Sequence, residues 1–325
     1  MKKTYGMGVF LAAAASLAIL FTACPPEDTP GPYEFTTPAS YRAMESLAGG
    51  SITTTTGSEV FITDRPVPLG AFKIAKYETT YQLWKEVYDW AVKNGYTFAN
   101  PGWEGHDRGG TGTVGTAAEK ATRPVTTINW RDAIVWCNAY SELSGKTPVY
   151  YADAAYTTVL KESTNTETAT AEDRAEMNPG ANGYRLPTEV EWEYAARGGN
   201  QSDTTNWDYT YAGRNFVDNV AWYEVNSTSF YPGVSEADRG AHRVGTKAAN
   251  SKGLYDMSGN VYEWCWDWYG TISTSTPIGG AASGTRRVAR GGSWFDVESS
   301  CTVAFRSNGN PYYEDSHVGF RVVCP

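Results

Sequence analysis

Gly253-Leu254-Tyr255-Asp256-Met257-Ser258-Gly259-Asn260-Val261-Tyr262-Glu263-Trp264 reads as a tight turn feeding a strand. Ser258-Gly259 is small and permissive where the backbone must reverse, and Asp256 stands where a carboxylate caps the turn amides. Beyond it, Trp264-Cys265-Trp266 continues in large flat side chains, the composition of short strands and turns pinned by rings. Working upstream, Thr188 and Glu191 form a capping box opening a helix that carries Trp192, Ala195 and Ala196 inward. Asn129 caps an earlier helix with Ala133, Ile134, Cys137 and Tyr140 on its inner face and Gly145 past its end. The first helix opens at Thr79 with Gln82 three residues on, carries Tyr81, Trp84, Tyr88 and Ala91 along one stripe, and stops at Asn94-Gly95. Before it, the alternating stretch from Ser51 to Phe72 predicts short strands in a hairpin arrangement. Residues 102–118 and 161–180 lack periodicity and read as surface excursions. Helices therefore precede a strand-rich C-terminal half, which is an α+β domain.

The 325 residues are 41% hydrophobic, 14% aromatic and 19% charged, with 33 glycines, enough to bury a sizeable core in an irregular, loop-rich fold. The formal charge is −9, and losing Lys2 and Lys3 with a leader makes it −9 − 2 = −11. Such a surface repels phosphate backbones, so no nucleic-acid partner is expected.

Lys2 and Lys3 precede an apolar run from Gly8 to Phe21 that closes on Phe21-Thr22-Ala23-Cys24, the layout of a secretory signal too short to span a membrane comfortably. The small residues before Cys24 resemble a bacterial lipobox, with Phe21 where leucine is usual. Two readings follow: lipidation at Cys24, with residues 1–23 removed, or plain secretion. Pro25 to Pro32 cannot propagate a helix, so residues 24–50 read as a tether ahead of a domain at 51–325. The expected location is the cell envelope, at the outer membrane and surface-exposed, with the membrane met through the lipid anchor alone. Cys137, Cys265, Cys301 and Cys324 either pair or are buried small hydrophobes.

Four segments taken together are specific. They are Gly183-Tyr184-Arg185-Leu186-Pro187-Thr188-Glu189 running to Trp192-Glu193-Tyr194-Ala195-Ala196-Arg197-Gly198-Gly199, the turn quoted first, Arg290-Gly291-Gly292-Ser293-Trp294, and Val318-Gly319-Phe320-Arg321. Over residues 55 to 323 the chain resembles the formylglycine-generating enzyme (sulfatase-modifying factor) family, which implies that family's irregular fold, related to C-type lectins. The aerobic enzymes of the family hold copper between two cysteines shortly after the Gly-Gly-Ser turn. Here Asp296 stands near the place of the first thiol and only Cys301 is present, whereas soft Cu(I) needs both sulfurs. His106, His242 and His317 have no metal-ligand spacing. A non-catalytic chain with no required cofactor is the expectation. The resemblance also implies a structural calcium ion, with carboxylates from Asp256 and Glu263 and backbone carbonyls from Gly259 and Val261, all hard oxygen donors. The bare turn, with Glu263 a solvated strand residue, is the other reading.

Residues 293–325 form a distinct segment. Phe295, Asp296, Ser299, Ser300, Phe305, Ser307, Asn308, Gly309, Tyr312, Tyr313, Asp315, Ser316 and His317 are a palette of rings and small polar groups suited to a binding surface rather than a core strand pair. Each type can be reached from an Asn codon ending in a pyrimidine by changing adenines alone, whereas Trp294, Glu298 and Glu314 cannot and would be fixed. This pattern resembles the variable proteins of diversity-generating retroelements, whose C-terminal lectin-like segment is rewritten by adenine mutagenesis. The resemblance implies non-covalent binding of a protein or other surface ligand through those thirteen side chains. Two alternatives stand beside it: an extracytoplasmic thiol oxidoreductase using Cys301, and a static, calcium-stabilised lipoprotein.

Overall fold

The structure, a computed structural model, describes residues 33–52, 57–105, 116–228 and 239–325. The signal peptide, Cys24 and the first part of the expected tether, residues 24–32, lie outside the described residues. The ordered body begins before residue 51: β1 (Met44–Leu47) already pairs with a central strand, so the tether is shorter than the sequence suggests. β2 (Gly50–Ile52) and β3 (Val67–Leu69) form an antiparallel ribbon, and β4 (Phe72–Ala75) lies between β1 and the C-terminal strand.

α1 (Tyr81–Lys93) opens one residue later than expected. Thr79 is held extended, donating its amide to the Phe320 carbonyl and accepting from the Val125 amide, both at 2.9 Å. Thr80 is left to cap, its hydroxyl accepting from the Leu83 amide. The buried stripe is accordingly Leu83, Trp84, Val87 and Ala91, with Tyr81 and Tyr88 at its margin. After the short α2 (Ala117–Ala121), α3 (Trp130–Leu143) starts at Asn129 as expected, with Asp132 completing a reciprocal capping box. α1 and α3 pack together, and Trp84 stacks on Trp136 with centroids 5.7 Å apart. The polar excursion at 161–180 is partly structured: β5 (Tyr150–Tyr151) pairs with β6 (Glu176–Met177), and Asp173 is buried against Arg131.

α4 (Glu189–Ala196) has the expected Thr188–Glu191 capping box, but all its residues are buried, not one face. Its carboxylates are therefore matched by arginines, two of them from distant strands. Glu189 takes both forks of Arg306 at 2.6 and 2.7 Å, and Glu193 bridges Arg197 and Arg290. α5 (Thr204–Trp207) and α6 (Glu224–Ser227) are single turns ahead of the main sheet. That sheet has the order β10 (Val318–Gly319), β7 (Tyr262–Trp268), β8 (Arg287–Arg290), β9 (Arg306–Gly309), with β10 parallel to β7 and the rest antiparallel. β11 (Val323–Cys324) leaves to pair with β4. Along β7 the period of two sends Tyr262 and Trp264 into the core shared with α1 and α3, and Cys265 into the core shared with α4. Residues Glu34–Pro325 form one body.

Asp267 on β7 accepts the Glu189 amide at 2.8 Å. Burial, reinforced by Glu189, pushes its carboxyl up to about 8. The folded state thus keeps a proton that the unfolded chain releases at about pH 4. Stability from this group falls as pH rises through that window, because the native state binds more protons there. We expect Asp267→Asn to remove that part of the slope in denaturant titrations between pH 4 and 8; a slope identical to that of the parent chain contradicts it.

A candidate ligand-binding face

The turn quoted first fixes one end of the face. Gly259 has φ of 73°, and a Cβ there would stand 2.2 Å from the Trp222 carbonyl oxygen, so only glycine fits. Its amide donates to the Gly291 carbonyl at 2.8 Å, and the Asn260 carbonyl accepts from the Trp294 amide at 2.8 Å, which stitches the turn to the Gly-Gly-Ser segment. Trp294 is buried and its indole donates to the Ser316 carbonyl. With that anchor held, the next ring, Phe295, emerges 46% exposed. Asp296 beside it accepts from the Tyr262 hydroxyl at 3.1 Å and from Ser293.

A cleft of about 340 Å³ opens on the same sheet, lined by Ser307, Asn308 and Gly309 of β9, by Tyr313 and His317, and floored by Tyr262 and Trp264. Tyr313 is 39% exposed and its hydroxyl donates to Asp315 at 2.6 Å. Burial works against ionisation of Asp315, but hydrogen bonds from His317 and Tyr313 outweigh it and hold the carboxyl well below its usual range. Phe295 stacks with His317 across a centroid distance of 6.4 Å, joining the exposed ring to the cleft. One contiguous surface thus gathers Phe295, Asp296, Ser307, Asn308, Gly309, Tyr313, Asp315 and His317.

Other expected positions are buried or sit elsewhere. Ser300 and Ser316 are buried, and Phe305 packs half-buried against the core. Ser299 lies exposed on the short turn Glu298–Cys301. Tyr312 faces away over the Arg131 guanidinium, into a different cleft. Gly309 is constrained, since a Cβ would lie 2.6 Å from the Trp264 ring. Sequence reasoning missed Tyr262, Trp264 and Arg286, whose guanidinium donates to Asn308 at 3.0 Å. The alternation of β7 was the available signal for the first two.

Glu263 is neither solvated nor free to ligate. It is fully buried, both its oxygens are taken by Arg321 at 2.6 and 2.7 Å, and one also accepts the Trp192 indole at 2.7 Å. Asp256 accepts the Gly245 amide, and the buried Glu78 accepts from Asn260 and the Val261 amide. Burial, then the neighbouring Asp256 and Glu263, raise the Glu78 carboxyl. With a guanidinium saturating Glu263, the set Asp256, Gly259, Val261 and Glu263 does not fit a calcium cage as placed. No group of three or more His, Cys, Asp or Glu among the described residues is arranged to hold a metal.

Cys137, Cys265, Cys301 and Cys324 are all buried and unpaired. Burial pushes each thiol up, and for Cys301 the carboxylates of Asp296, Glu298 and Glu224 add to it. A nucleophilic thiol requires the opposite environment. We expect none of the four to react with a thiol reagent at neutral pH in the native state and all to react in denaturant; rapid native labelling of Cys301 contradicts this.

The described chain has known relatives. Residues 32–325 match the model of the sulfatase-modifying factor enzyme 1-like domain. The chain is 33% identical over 289 residues to the chaperone protein LppX of Paenibacillus barcinonensis, covering 85% of this chain and 87% of that one. It is 39% identical over 153 residues to the formylglycine-generating enzyme of Thermomonospora curvata, but that match spans 43% of this chain and only 48% of the enzyme. Among solved structures, Treponema denticola variable protein 1 superposes with a TM-score of 0.67 at 31% identity, over 86% of this chain and 94% of that one.

Proposed function

We infer the function from one premise: the chain belongs to the sulfatase-modifying factor enzyme 1-like family and has its α+β, C-type lectin-like fold. We propose that it is a non-catalytic binding protein of the bacterial envelope, lipid-anchored at Cys24, whose C-terminal face is diversified by a retroelement. The observation that carries this reading is the cleft over Tyr262 and Trp264, whose walls are supplied by Ser307, Asn308, Tyr313 and His317, residue types that adenine changes in an Asn codon can reach. Phe295 extends it outward as an exposed ring.

The mechanism is recognition alone. Trp294, the Gly259 turn and the buried ion pairs hold the backbone, so exchanging a surface side chain alters which partner fits without altering the fold. Rings supply contact area at low entropic cost, and Ser and Asn supply adaptable hydrogen bonds. The likeness to variable protein 1 supports this use of the fold. The oxidoreductase alternative is disfavoured by the sealed, neutral Cys301 and by Asp296 in place of a second thiol.

The test is selection. A displayed library randomised at Phe295, Asp296, Ser307, Asn308, Tyr313 and Asp315, panned on purified lysozyme, yields binders that lose the target when those residues revert. If no member exceeds the parent chain, the face is not a recognition surface.

A further inference from the structure

A cleft of about 800 Å³ lies apart from the one above, where β7 and β8 end. Trp266 and Trp268 form one wall, the small residues from Gly279 to Gly284 form another, and Tyr312 closes a side. At its base sits Arg287, only 2% exposed. Its guanidinium is sandwiched between Trp268 at 3.4 Å and Trp130 at 3.7 Å. Nη1 donates to the Trp266 carbonyl at 2.7 Å and Nη2 to the Asp173 carbonyl at 2.9 Å. Nε has no acceptor.

Among the described residues no carboxylate pairs with this cation. Asp173 is the nearest candidate, but both its oxygens are taken by Arg131 at 3.0 and 2.7 Å. Asp267 is the other acidic neighbour, and its raised carboxyl is largely protonated at neutral pH. Burial lowers the Arg287 guanidinium to about 9, and the nearby Asp173 and Asp267 offset that only in part. The contrast with Arg290, Arg306 and Arg321 is informative, since each of those buried arginines has a carboxylate partner. A buried charge without a partner is costly, and a bound anion is one way to offset it.

We propose that this cleft is a second binding site, separate from the diversified face, for a small aryl carboxylate. Its ring lies along the half-buried Trp266 and Trp268, and its carboxylate supplies the counter-charge to Arg287. The wall of small residues from Gly279 to Gly284 leaves room for the ring edge. A neutral aryl compound meets the tryptophans but leaves the cation unmatched, and a carboxylate without a ring gains too little contact to stay.

Calorimetric titration of the full chain tests this with phenylacetate, phenylacetamide and acetate. The expected result is saturable binding of phenylacetate, at least about tenfold weaker binding of the amide, the equivalent of ~1.4 kcal/mol, and no binding of acetate. Ala282→Trp, on the exposed wall and remote from the buried ion pairs, fills the cleft and abolishes binding. Tyr313→Ala, in the neighbouring cleft, leaves it unchanged. Equal affinity for phenylacetate and its amide overturns the role of Arg287. Failure of phenylacetate to bind natively folded chain, or indifference to Ala282→Trp, overturns the site. Neither outcome bears on the diversified face, which the selection above tests separately.

Discussion

Arg321→Met destabilises the protein by about 3–5 kcal/mol, the range for stripping one partner from a buried ion pair. The loss is large because Arg321 serves several elements at once. It neutralises Glu263 of β7 through two short bonds, donates to the Tyr255 carbonyl at 2.9 Å, and donates to the Ala75 carbonyl at the end of β4. Without it, the Glu263 carboxylate is stranded where it has no solvent, and two part-buried carbonyls lose a donor. A domain with a total stability of about 5–15 kcal/mol would keep little margin. Adding Glu263→Gln removes the stranded charge while retaining an acceptor for the Trp192 indole, so the double variant recovers part of the loss. Denaturant titration of both variants checks this; a loss below about 1 kcal/mol, the level of an exposed pair, contradicts the assigned role of Arg321.

The second large effect is on binding. In a binder selected on the face, Phe295→Ala together with Tyr313→Ala weakens the target by about 100-fold or more, since truncating each aromatic anchor costs about 2 kcal/mol. The same pair shifts stability little, because both rings are well exposed and neither belongs to the core clusters. Gly309→Tyr does the reverse. Its Cβ meets the Trp264 ring at 2.6 Å, and overpacking of this kind costs about 1–3 kcal/mol. Thermal melts beside affinity measurements separate the two classes; a double variant that unfolds, or a Gly309 variant that melts like the parent, contradicts the division between exchangeable and scaffold positions.

Much of the fold was legible because local rules and tertiary structure agree. Asn129 and Thr188 cap helices as their spacing predicts, and the Gly-Asn turn precedes a strand. Thr79 misled because long-range pairing with Val125 and Phe320 took its backbone, and no local signal carries that information. Glu263 misled for a related reason. A glutamate in an aromatic strand looks solvated or metal-bound, and its partner Arg321 lies 58 residues away in sequence. The buried α4 is another such case: its capping box and inward Trp192, Ala195 and Ala196 gave no sign that Arg290 and Arg306 would close on Glu193 and Glu189. Composition singled out Asn308 and Tyr313, which line the cleft, but could not find its floor, because Tyr262 and Trp264 look like ordinary core. Composition also drew in Ser300 and Ser316, whose small polar side chains suit a buried turn as well as a surface.

The central claim, a scaffold whose face is rewritten by adenine mutagenesis, is tested most directly by deep sequencing of the final gene segment across a growing bacterial population. The account predicts substitutions concentrated at adenines in the codons for Phe295, Asp296, Ser307, Asn308, Tyr313, Asp315 and His317, with Trp294, Glu298 and Glu314 unchanged. Substitutions no denser there than in the codons for α1 or α3 would contradict it, leaving a lectin-like domain with a fixed surface.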